Sequence, residues 1–335
     1  MKRLSLPIVL VGLIYAASSC LETAVQTPNP TATATESGAR QDETTRQCAT
    51  MDVLAEKIKE DNGLAKKLDD IEEHTKKFAK AQSDAGPIAP MVSLTIPVAV
   101  HVLYYTAREN ISLAQIQSQV DVLNKDFSKT NPDVSSLPSQ FSSLATNMDI
   151  QFTLDPADID RKASSKASWG TRDAMKSAKK GGINPKDPSK YLNIWVCNIG
   201  GGILGYAQFP GGSAATDGVV IGPQYFGNTG YVATPFDKGR TATHEIGHWL
   251  NLRHIWGDAN CGNDLVADTP TQQTSNYGCP SFPHVTCSNG PNGDLFMNYM
   301  DYTDDACMYM FTNGQKTRSQ AIFAAGGPRR SFVTQ

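Results

Sequence analysis

The chain has 335 residues, of which 40% are hydrophobic, and its formal net charge is −3 at pH 7. This apolar content is enough for a hydrophobic core in one large domain or two smaller ones. The four Trp, eleven Tyr and twelve Phe residues exclude a wholly disordered chain. The small negative charge offers no basic field for nucleic acid, so nucleic acid is not an expected partner.

The first twenty residues have the order of an export signal. Lys2 and Arg3 precede a short apolar run, and small residues and Cys20 follow it. The run is too short to favour a stable membrane span. Cys20 after small residues resembles the lipidation site of bacterial lipoproteins, and ordinary signal cleavage nearby is the alternative. Residues 1–20 therefore predict export, either as a secreted protein or with a lipid anchor on Cys20 at the bacterial cell surface.

Two segments of different character separate this signal from the main domain. Residues 21–46 are rich in Thr, Pro, Ala and polar residues, a composition that cannot bury enough apolar surface to order itself. Residues 47–88 repeat apolar side chains at spacings of three and four on both sides of Gly63, which predicts two amphipathic helices. We therefore predict a flexible tether, a helical segment, and a main domain over residues 89–335.

The main domain begins with patterns of strands and helices. The run 95–105 predicts a buried strand, and 112–129 predicts a helix with Ser112 as its N-cap. We expect strands and helices to alternate until residue 243, and a loop-rich chain after the histidines that follow. Further strands are predicted at 148–154, 191–199, 205–210 and 217–222. The apolar face of the helix comprises Leu113, Ile116, Val120, Leu123 and Phe127.

Three of the six histidines lie within eleven residues. His244 and His248 are four residues apart, so on a helix they share a face and can bind one metal ion. Glu245 lies beside the first of them, where it can reach a metal-bound water but is not placed as a ligand. This H-E-x-x-H pattern is typical of zinc peptidases. A helix that carries histidines without a metal is the alternative.

A catalytic zinc ion needs a third protein ligand and one open position. The ligand is either an acid on a later helix or His254, six residues after His248. A straight helix would point His254 to the opposite face, so the chain must bend between the two. Asn251 lies between them, and asparagine tolerates positive φ better than other residues except glycine. The sequence therefore predicts a helix-ending turn with positive φ at Asn251.

The segment MNYMDY, residues 297–302, fits a second element of the long zinc-peptidase motif. In these peptidases a tight turn carries a methionine beneath the metal. Met300 is the better match for that turn, and Met297 is the alternative. Without the histidine motif, either methionine would be read as ordinary core packing.

The motif GRTATHEIGHWLNLRHIWGD, followed by MNYMDYTDDACM, resembles the pappalysin family of metzincins in its short bacterial and archaeal forms. Further similar segments extend the resemblance over roughly residues 95–320. It implies an α+β metzincin catalytic domain with a twisted mixed sheet, a backing helix and an active-site helix. It also implies a loop-rich, disulfide-bonded lower subdomain and an active-site cleft between the two. The implied activity is that of an endopeptidase, which we expect to be a monomer.

The resemblance also implies roles for individual residues. Zinc bound by His244, His248 and His254 would activate water, and Glu245 would act as general base. Tyr302 matches a family tyrosine that assists at the transition state, and a packed ring is its alternative role. Protein or peptide substrates would add as a strand to the sheet edge formed by the segment GILGYAQF.

The chain has seven cysteines, an odd number, and an exported protein usually pairs them in disulfides. Sequence alone allows three pairings of the last four, and the resemblance implies Cys261–Cys287 and Cys279–Cys307, with a structural zinc site as the alternative. Cys197 lies in an apolar strand and is expected to be a buried thiol. The resemblance further implies that Cys48 binds the zinc in the latent form, so that residues 47–88 form a pro-segment with a cysteine switch. An incidental thiol at Cys48 is the alternative.

Two finer features of the family concern calcium and specificity. The segment 261–270 resembles the family's calcium loop, with Asp264, the Ala267 carbonyl and Thr269 as ligands. Asp268 and Asp294 are expected to cap turns instead. Several family members use an acid before the cysteine that follows the methionine turn to select arginine. Ala306 occupies that position here, and the nearby Asp304 and Asp305 are displaced from it by one or two positions, which predicts weak or no arginine preference.

Two other functions compete with an exported zinc endopeptidase. One is a zinc peptidase whose third ligand is a distal acid, and His254 together with Met300 argues against it. The other is a cell-surface binding lipoprotein on an inactive peptidase scaffold. The intact Glu245 and the three histidines argue against this second alternative.

Overall fold

The computed structural model describes residues 45–85 and 93–333. The predicted export signal 1–20, Cys20 and nearly all of the predicted tether 21–46 lie outside the described residues. Within the described ranges, no helix has both the length and the apolar character that a membrane crossing requires.

Five α-helices and five strands are present in the described residues. Short 3-10 helices occupy many of the connections between them. In chain order the elements are α1 Thr50–Glu60, α2 Leu64–Ala85, β1 Leu94–Tyr104, α3 Leu113–Ser128, β2 Ile150–Ala163, β3 Leu192–Val196, β4 Gly205–Ala207, β5 Val219–Ile221, α4 Arg240–Trp249 and α5 Asn313–Ala321. The 3-10 helices are Ala107–Glu109, Pro132–Ser136, Ser139–Phe141, Ala174–Lys176, Ala178–Lys180, Ala214–Thr216, Pro223–Tyr225, Asp305–Cys307 and Arg330–Val333.

The strands form one mixed sheet in the order β2-β1-β3-β5-β4. β1 pairs in parallel with β2 and β3, β3 pairs in parallel with β5, and β4 pairs antiparallel with β5. β4 is therefore an edge strand, and its outer side carries backbone groups that can pair with another chain segment. This strand belongs to the segment that the sequence analysis assigned to substrate binding.

Apolar side chains cover both faces of the sheet. One face packs against α3 and α4 in the larger core cluster, which includes Ile116 and Ile246. The other face, with Trp195 and Tyr206, forms a smaller cluster that also contains Val53 of α1. Because successive residues of a strand point to opposite faces, these short strands contribute to both clusters. The larger cluster holds α4 in a fixed position against the sheet.

The structure confirms most predicted elements, including both helices around Gly63 and the Ser112 N-cap, whose side chain accepts a hydrogen bond from Gln115 N at 3.1 Å. The expected alternation of strands and helices was wrong beyond β2, because loops and 3-10 turns connect the later strands. Leu113 was assigned to the apolar face but is 48% exposed, since it lies in the first turn of α3, at the rim of the core. Helix α5 was not predicted.

The boundary between tether and helical segment also needs correction. Arg46 was assigned to the flexible tether, but its side chain is buried and bonded to the main domain. The ordered part of the N-terminal segment thus begins at or before this residue. The proposed division into pro-segment and catalytic domain otherwise stays a prediction.

Candidate active site

Helix α4 carries the first two histidines of the motif on its buried side. Residue Gly239, with φ of 78°, starts the helix, and all ten helical residues are buried. Gly247 lies between the histidines, and a Cβ added there would come within 2.3 Å of the Met300 sulfur. The glycine therefore lets the methionine pack directly against the helix, beneath His244 and His248.

The chain bends after α4 at Asn251, which has φ of 73°. This is the left-handed conformation that the spacing of the histidines requires. Leu252 N–H donates to the Gly247 carbonyl at 2.9 Å across the bend, as in a helix-ending Schellman motif. The bend returns the chain to the site, so that His254 reaches the same point as His248.

The three imidazoles meet at their Nε2 atoms. His248 Nε2 lies 3.2 Å from His244 Nε2 and 3.1 Å from His254 Nε2. Each Nδ1 faces an oxygen acceptor, so the neutral rings carry their protons on Nδ1 and leave the Nε2 lone pairs free. The acceptors are the carbonyls of Tyr299 at 2.7 Å and Leu252 at 2.8 Å, and the carboxylate of Asp258 at 2.6 Å.

This donor set fits a zinc ion. Three neutral nitrogen lone pairs converge on one point, where they would repel each other without a cation. Burial, together with the neighbouring histidines, lowers the pKa values of His244 and His248 well below the ordinary value, which favours the neutral form of both rings. Cys48 adds a fourth donor, and the four ligand atoms all lie within 4.8 Å of one another. In the described residues this is the only group of at least three His, Cys, Asp or Glu side chains so arranged.

Glu245 lies beside this cluster and contacts the N-terminal segment. Its Oε2 accepts hydrogen bonds from the Thr50 hydroxyl at 2.8 Å and from the Cys48 thiol at 3.4 Å. Burial raises the pKa of Glu245 to about 7, and the bonds from Thr50 and Cys48 oppose the rise. A buried carboxylate beside the histidines can accept and return a proton. The contact between Thr50 and Glu245 could not be predicted from the sequence, because a threonine at this position is also common at an ordinary helix start.

Aromatic rings close the site around the third histidine. The Trp256 ring stacks on His254 with centroids 4.4 Å apart and an interplanar angle of 6°. The ring centroids of Tyr302 and His254 lie 4.9 Å apart, and the Tyr302 hydroxyl donates a hydrogen bond to the Cys48 carbonyl at 3.3 Å. Tyr302 was a candidate site residue from the sequence, whereas Trp256 was not, because a tryptophan two residues after His254 has no distinctive spacing. Of the two methionines considered, Met300 is the one whose sulfur packs under α4.

The N-terminal segment occupies the outer edge of β4. Leu204 N–H donates to the Gln47 carbonyl at 2.9 Å, and Ala49 N–H donates to the Gly205 carbonyl at 3.1 Å. Cys48 forms a parallel bridge with Gly205. The edge to which a substrate strand would add is thus already paired where it passes the histidines.

A buried ion pair beside the site bears on the predicted arginine preference. Asp305 is fully buried, and its carboxylate lies 2.5 Å from Arg46 Nη2. The Arg46 guanidinium also donates to the Thr241 hydroxyl of α4 at 3.2 Å. Ala306 cannot supply a carboxylate, but the 3-10 turn Asp305–Cys307 buries that of the preceding residue, Asp305, beside α4. The preference for or against arginine stays a prediction.

Both disulfides implied by the resemblance are present, Cys261–Cys287 and Cys279–Cys307. Their Cα atoms lie 5.8 Å and 5.7 Å apart, within the usual range. They crosslink loops that have little apolar core of their own, as expected for the lower subdomain. Cys197 is a buried free thiol.

The loop assigned to calcium places two of its three suggested ligands together. The Thr269 hydroxyl lies 2.9 Å and 3.0 Å from the two carboxylate oxygens of Asp264, while Ala267 is exposed in the same turn. Asp268 caps the start of α5, since its Oδ2 accepts from Gly314 N at 2.8 Å. Asp294 accepts hydrogen bonds from neighbouring loop residues. Asp268 therefore caps a distant helix and not a turn, whereas Asp294 crosslinks the surrounding loops through their side chains.

The structure has the features that define the metzincin class of metallopeptidases. A mixed sheet packs against a helix with two histidines, a bend brings in a third histidine, and a methionine lies beneath them. The model of the M43 peptidase family, described as pregnancy-associated plasma protein-A, matches residues 182–324. A relative named extracellular metalloprotease from Pyricularia oryzae is 34% identical over 73% of this chain and 81% of its own length.

Two solved structures of mirolysin are also similar. Mature mirolysin from Tannerella forsythia in complex with a cleaved peptide is 48% identical, with a TM-score of 0.70, over 72% of this chain and 96% of its own. A promirolysin variant is 44% identical, with a TM-score of 0.77, over 86% of this chain and 97% of its own. The chain belongs to the M43 or pappalysin family of metzincins and is a metalloendopeptidase with the α+β metzincin fold.

Proposed function

We propose that this protein is an exported zinc endopeptidase made as a latent zymogen. The convergence of three imidazole Nε2 atoms beside a buried carboxylate is the observation that carries the proposal. A zinc ion held by His244, His248 and His254 would supply Lewis-acid chemistry, which would polarise the peptide carbonyl and make water more acidic. Export is supported by the relative named extracellular metalloprotease and by the pattern of residues 1–20.

The chain's own residues handle substrate and proton. The outer edge of β4 binds the peptide as an added strand, which aligns the scissile bond with the histidines. Glu245 accepts the proton of the attacking water and returns it to the leaving nitrogen. The Tyr302 hydroxyl donates to the Cys48 carbonyl in the latent form. Once the N-terminal segment has left, it can stabilise the negative charge that develops on the substrate's carbonyl oxygen. The calcium ion predicted at Asp264, Ala267 and Thr269 is part of the proposal as a structural ion of the lower loops.

We further propose that residues 46–85 keep the enzyme latent. Cys48 occupies the position beside the histidines that water would need, and the flanking backbone occupies the substrate edge. The zymogen form of mirolysin matches a larger share of this chain than the mature form does, and the extra share, about one seventh, is close to the length of the predicted pro-segment. Removal of this segment would free the edge and the metal together.

Chelation tests the proposed chemistry. We expect the mature enzyme to contain about one zinc ion per chain and to lose peptidase activity on dialysis against 1,10-phenanthroline. Added Zn²⁺ should restore activity measured on a fluorogenic peptide and by gelatin zymography. A mature protein that contains no transition metal, or that cleaves peptides equally well after chelation, would contradict the proposal.

The Arg46–Asp305 pair leads to a prediction about specificity. A buried carboxylate that holds an arginine in the latent form should select arginine in a substrate once the pro-segment has left. We expect the Asp305→Asn substitution to lower kcat/KM for a peptide with arginine after the cleaved bond by about 30-fold, because losing one partner of a buried ion pair costs about 2 kcal/mol or more. A matched glutamine peptide should be affected little.

Asp304→Asn is the matched control, since Asp304 is a partly exposed neighbour of Asp305. The Asp305 carboxylate also accepts hydrogen bonds from Lys238 N and Arg240 N, and asparagine keeps an oxygen acceptor for them. Equal losses on the arginine and glutamine peptides would assign Asp305 to folding and not to specificity.

A further inference from the structure

The carboxyl end of the metal-binding helix is held by two buried arginines. The last carbonyls of a helix lack intrahelical partners, and cations stabilise that end. Arg329 Nε donates to the Trp249 carbonyl at 3.2 Å, and Arg318 Nε donates to the Asn251 carbonyl at 2.7 Å. Both side chains come from the C-terminal part of the chain, and both are nearly fully buried.

The two arginines differ in their charge partners. Arg329 forms a bidentate pair with Asp217, at 2.6 Å and 2.8 Å, within the catalytic domain. In the described part of the chain, the carboxylate within ion-pair distance of Arg318 is Glu72 of α2, whose Oε2 lies 2.7 Å from Nη2. Release of the pro-segment therefore removes the partner of Arg318 and leaves that of Arg329 in place.

Arg318 contacts the residue on which the third histidine depends. Asn251 adopts the positive φ that turns the chain back, and His254 follows three residues later. A shift of the Asn251 carbonyl would move this segment and displace the imidazole from the other two. Helix α2 supports the same turn directly, since Asn251 Nδ2 lies 3.5 Å from the Thr75 hydroxyl.

We propose that Arg318 is a positioning residue for the metal ligand His254, and that the pro-segment fixes this arginine through Glu72. The chain of contacts runs from Glu72 through Arg318 to the Asn251 carbonyl. The pro-segment thus acts on the metal site at two places, at the open position through Cys48 and at the bend through α2. This inference rests on the proposed zinc peptidase and its removable pro-segment.

Zinc affinity and cobalt spectra test the proposal. In both zymogen and mature enzyme, Arg318→Gln should weaken zinc binding about tenfold, the lower end of the range for residues that support metal ligands, as measured by competition with a chelator. The visible spectrum of the cobalt-substituted protein should change as well, because it reports ligand geometry. Arg318→Lys keeps the charge and one donor, so it should partly restore both readouts.

Glu72→Gln separates the two parts of the proposal. This substitution should weaken zinc binding in the zymogen, yet the mature enzyme made from it should match wild type, because residue 72 leaves with the pro-segment. Arg330→Gln is the matched control, since Arg330 also donates to a backbone carbonyl, that of Phe323 at 3.2 Å, but does not contact the bend.

Unchanged zinc affinity and cobalt spectrum in Arg318→Gln would overturn the positioning role, and unchanged zymogen affinity in Glu72→Gln would overturn the coupling. If Arg318→Gln does not fold, Arg318→Met and Glu72→Gln decide by the same measurements, since methionine keeps an apolar stem without the donors: wild-type values in both would refute the proposal. A wild-type protein that binds no zinc would instead refute the proposed function.

Discussion

Replacing Glu245 by glutamine should lower kcat/KM for a peptide substrate by about 10²- to 10⁴-fold while the protein still binds zinc. The loss is the usual contribution of a positioned general acid or base, because glutamine cannot accept the proton of the attacking water. The histidine cluster should be intact in this variant, since each Nδ1 proton is held by Tyr299, Leu252 or Asp258 and not by Glu245. Rates should be measured after maturation by limited digestion with an external protease, because a variant without activity cannot process itself.

Metal content must be measured on the same preparation. Elemental analysis should give the same zinc content for Glu245→Gln, Glu245→Ala and wild type. Asp155→Asn, at an exposed position of β2, is a control for the general effect of removing a carboxylate. Wild-type turnover by Glu245→Gln would exclude the general-base role, whereas loss of zinc together with activity would point to a supporting role in metal binding.

The core of the site could be predicted because its information is local. His244, His248 and Glu245 lie within one helical stretch, and only a positive φ at Asn251 brings His254 to the same point. Most helices and strands could be predicted for the same reason, because the local spacing of apolar residues shows which side chains face the core. The convergence of His254 with the other two histidines could thus be predicted from one rule about asparagine.

The rest of the site depends on contacts between distant parts of the chain. Arg46 and Asp305 are separated by 259 residues, and Arg318 and Glu72 by 246. No periodic pattern records such pairs. Helix α5 was missed because the residues that it buries are mostly polar and leave no apolar stripe. Its start did carry a signal, the capping box of Thr312 and Gln315, which would have identified it.

Substitution of Cys48 should have the second large effect. Cys48→Ala removes the thiol from the histidine cluster, so the zymogen should mature much faster than wild type. The reason is that water can then take the open position while the rest of the segment stays bound. Cys197→Ala is the matched control, because Cys197 is the other free thiol of the described chain and lies buried away from the histidines.

Thr50 is the second residue of the N-terminal segment that contacts the Glu245 carboxylate, so we expect both Cys48 and Thr50 to contribute to latency. The Thr50 hydroxyl accepts Ala207 N–H at 2.8 Å and donates to Glu245 at 2.8 Å, so it joins the substrate edge to the general base. Thr50→Val keeps the shape and loses both bonds, and a hydrogen bond to a charged group contributes about 1.5–3 kcal/mol. We expect it to speed maturation by roughly tenfold or more, less than Cys48→Ala does.

The double variant distinguishes a joint mechanism from two separate ones. Cys48 and Thr50 both donate to Glu245 Oε2, and residues that share a partner are not energetically independent. The maturation rate of Cys48→Ala/Thr50→Val should therefore differ from the product of the two single effects. A multiplicative result would mean that the thiol and the hydroxyl act independently. Maturation of Cys48→Ala at the wild-type rate would contradict the cysteine switch itself, because the bound thiol would then contribute nothing to latency.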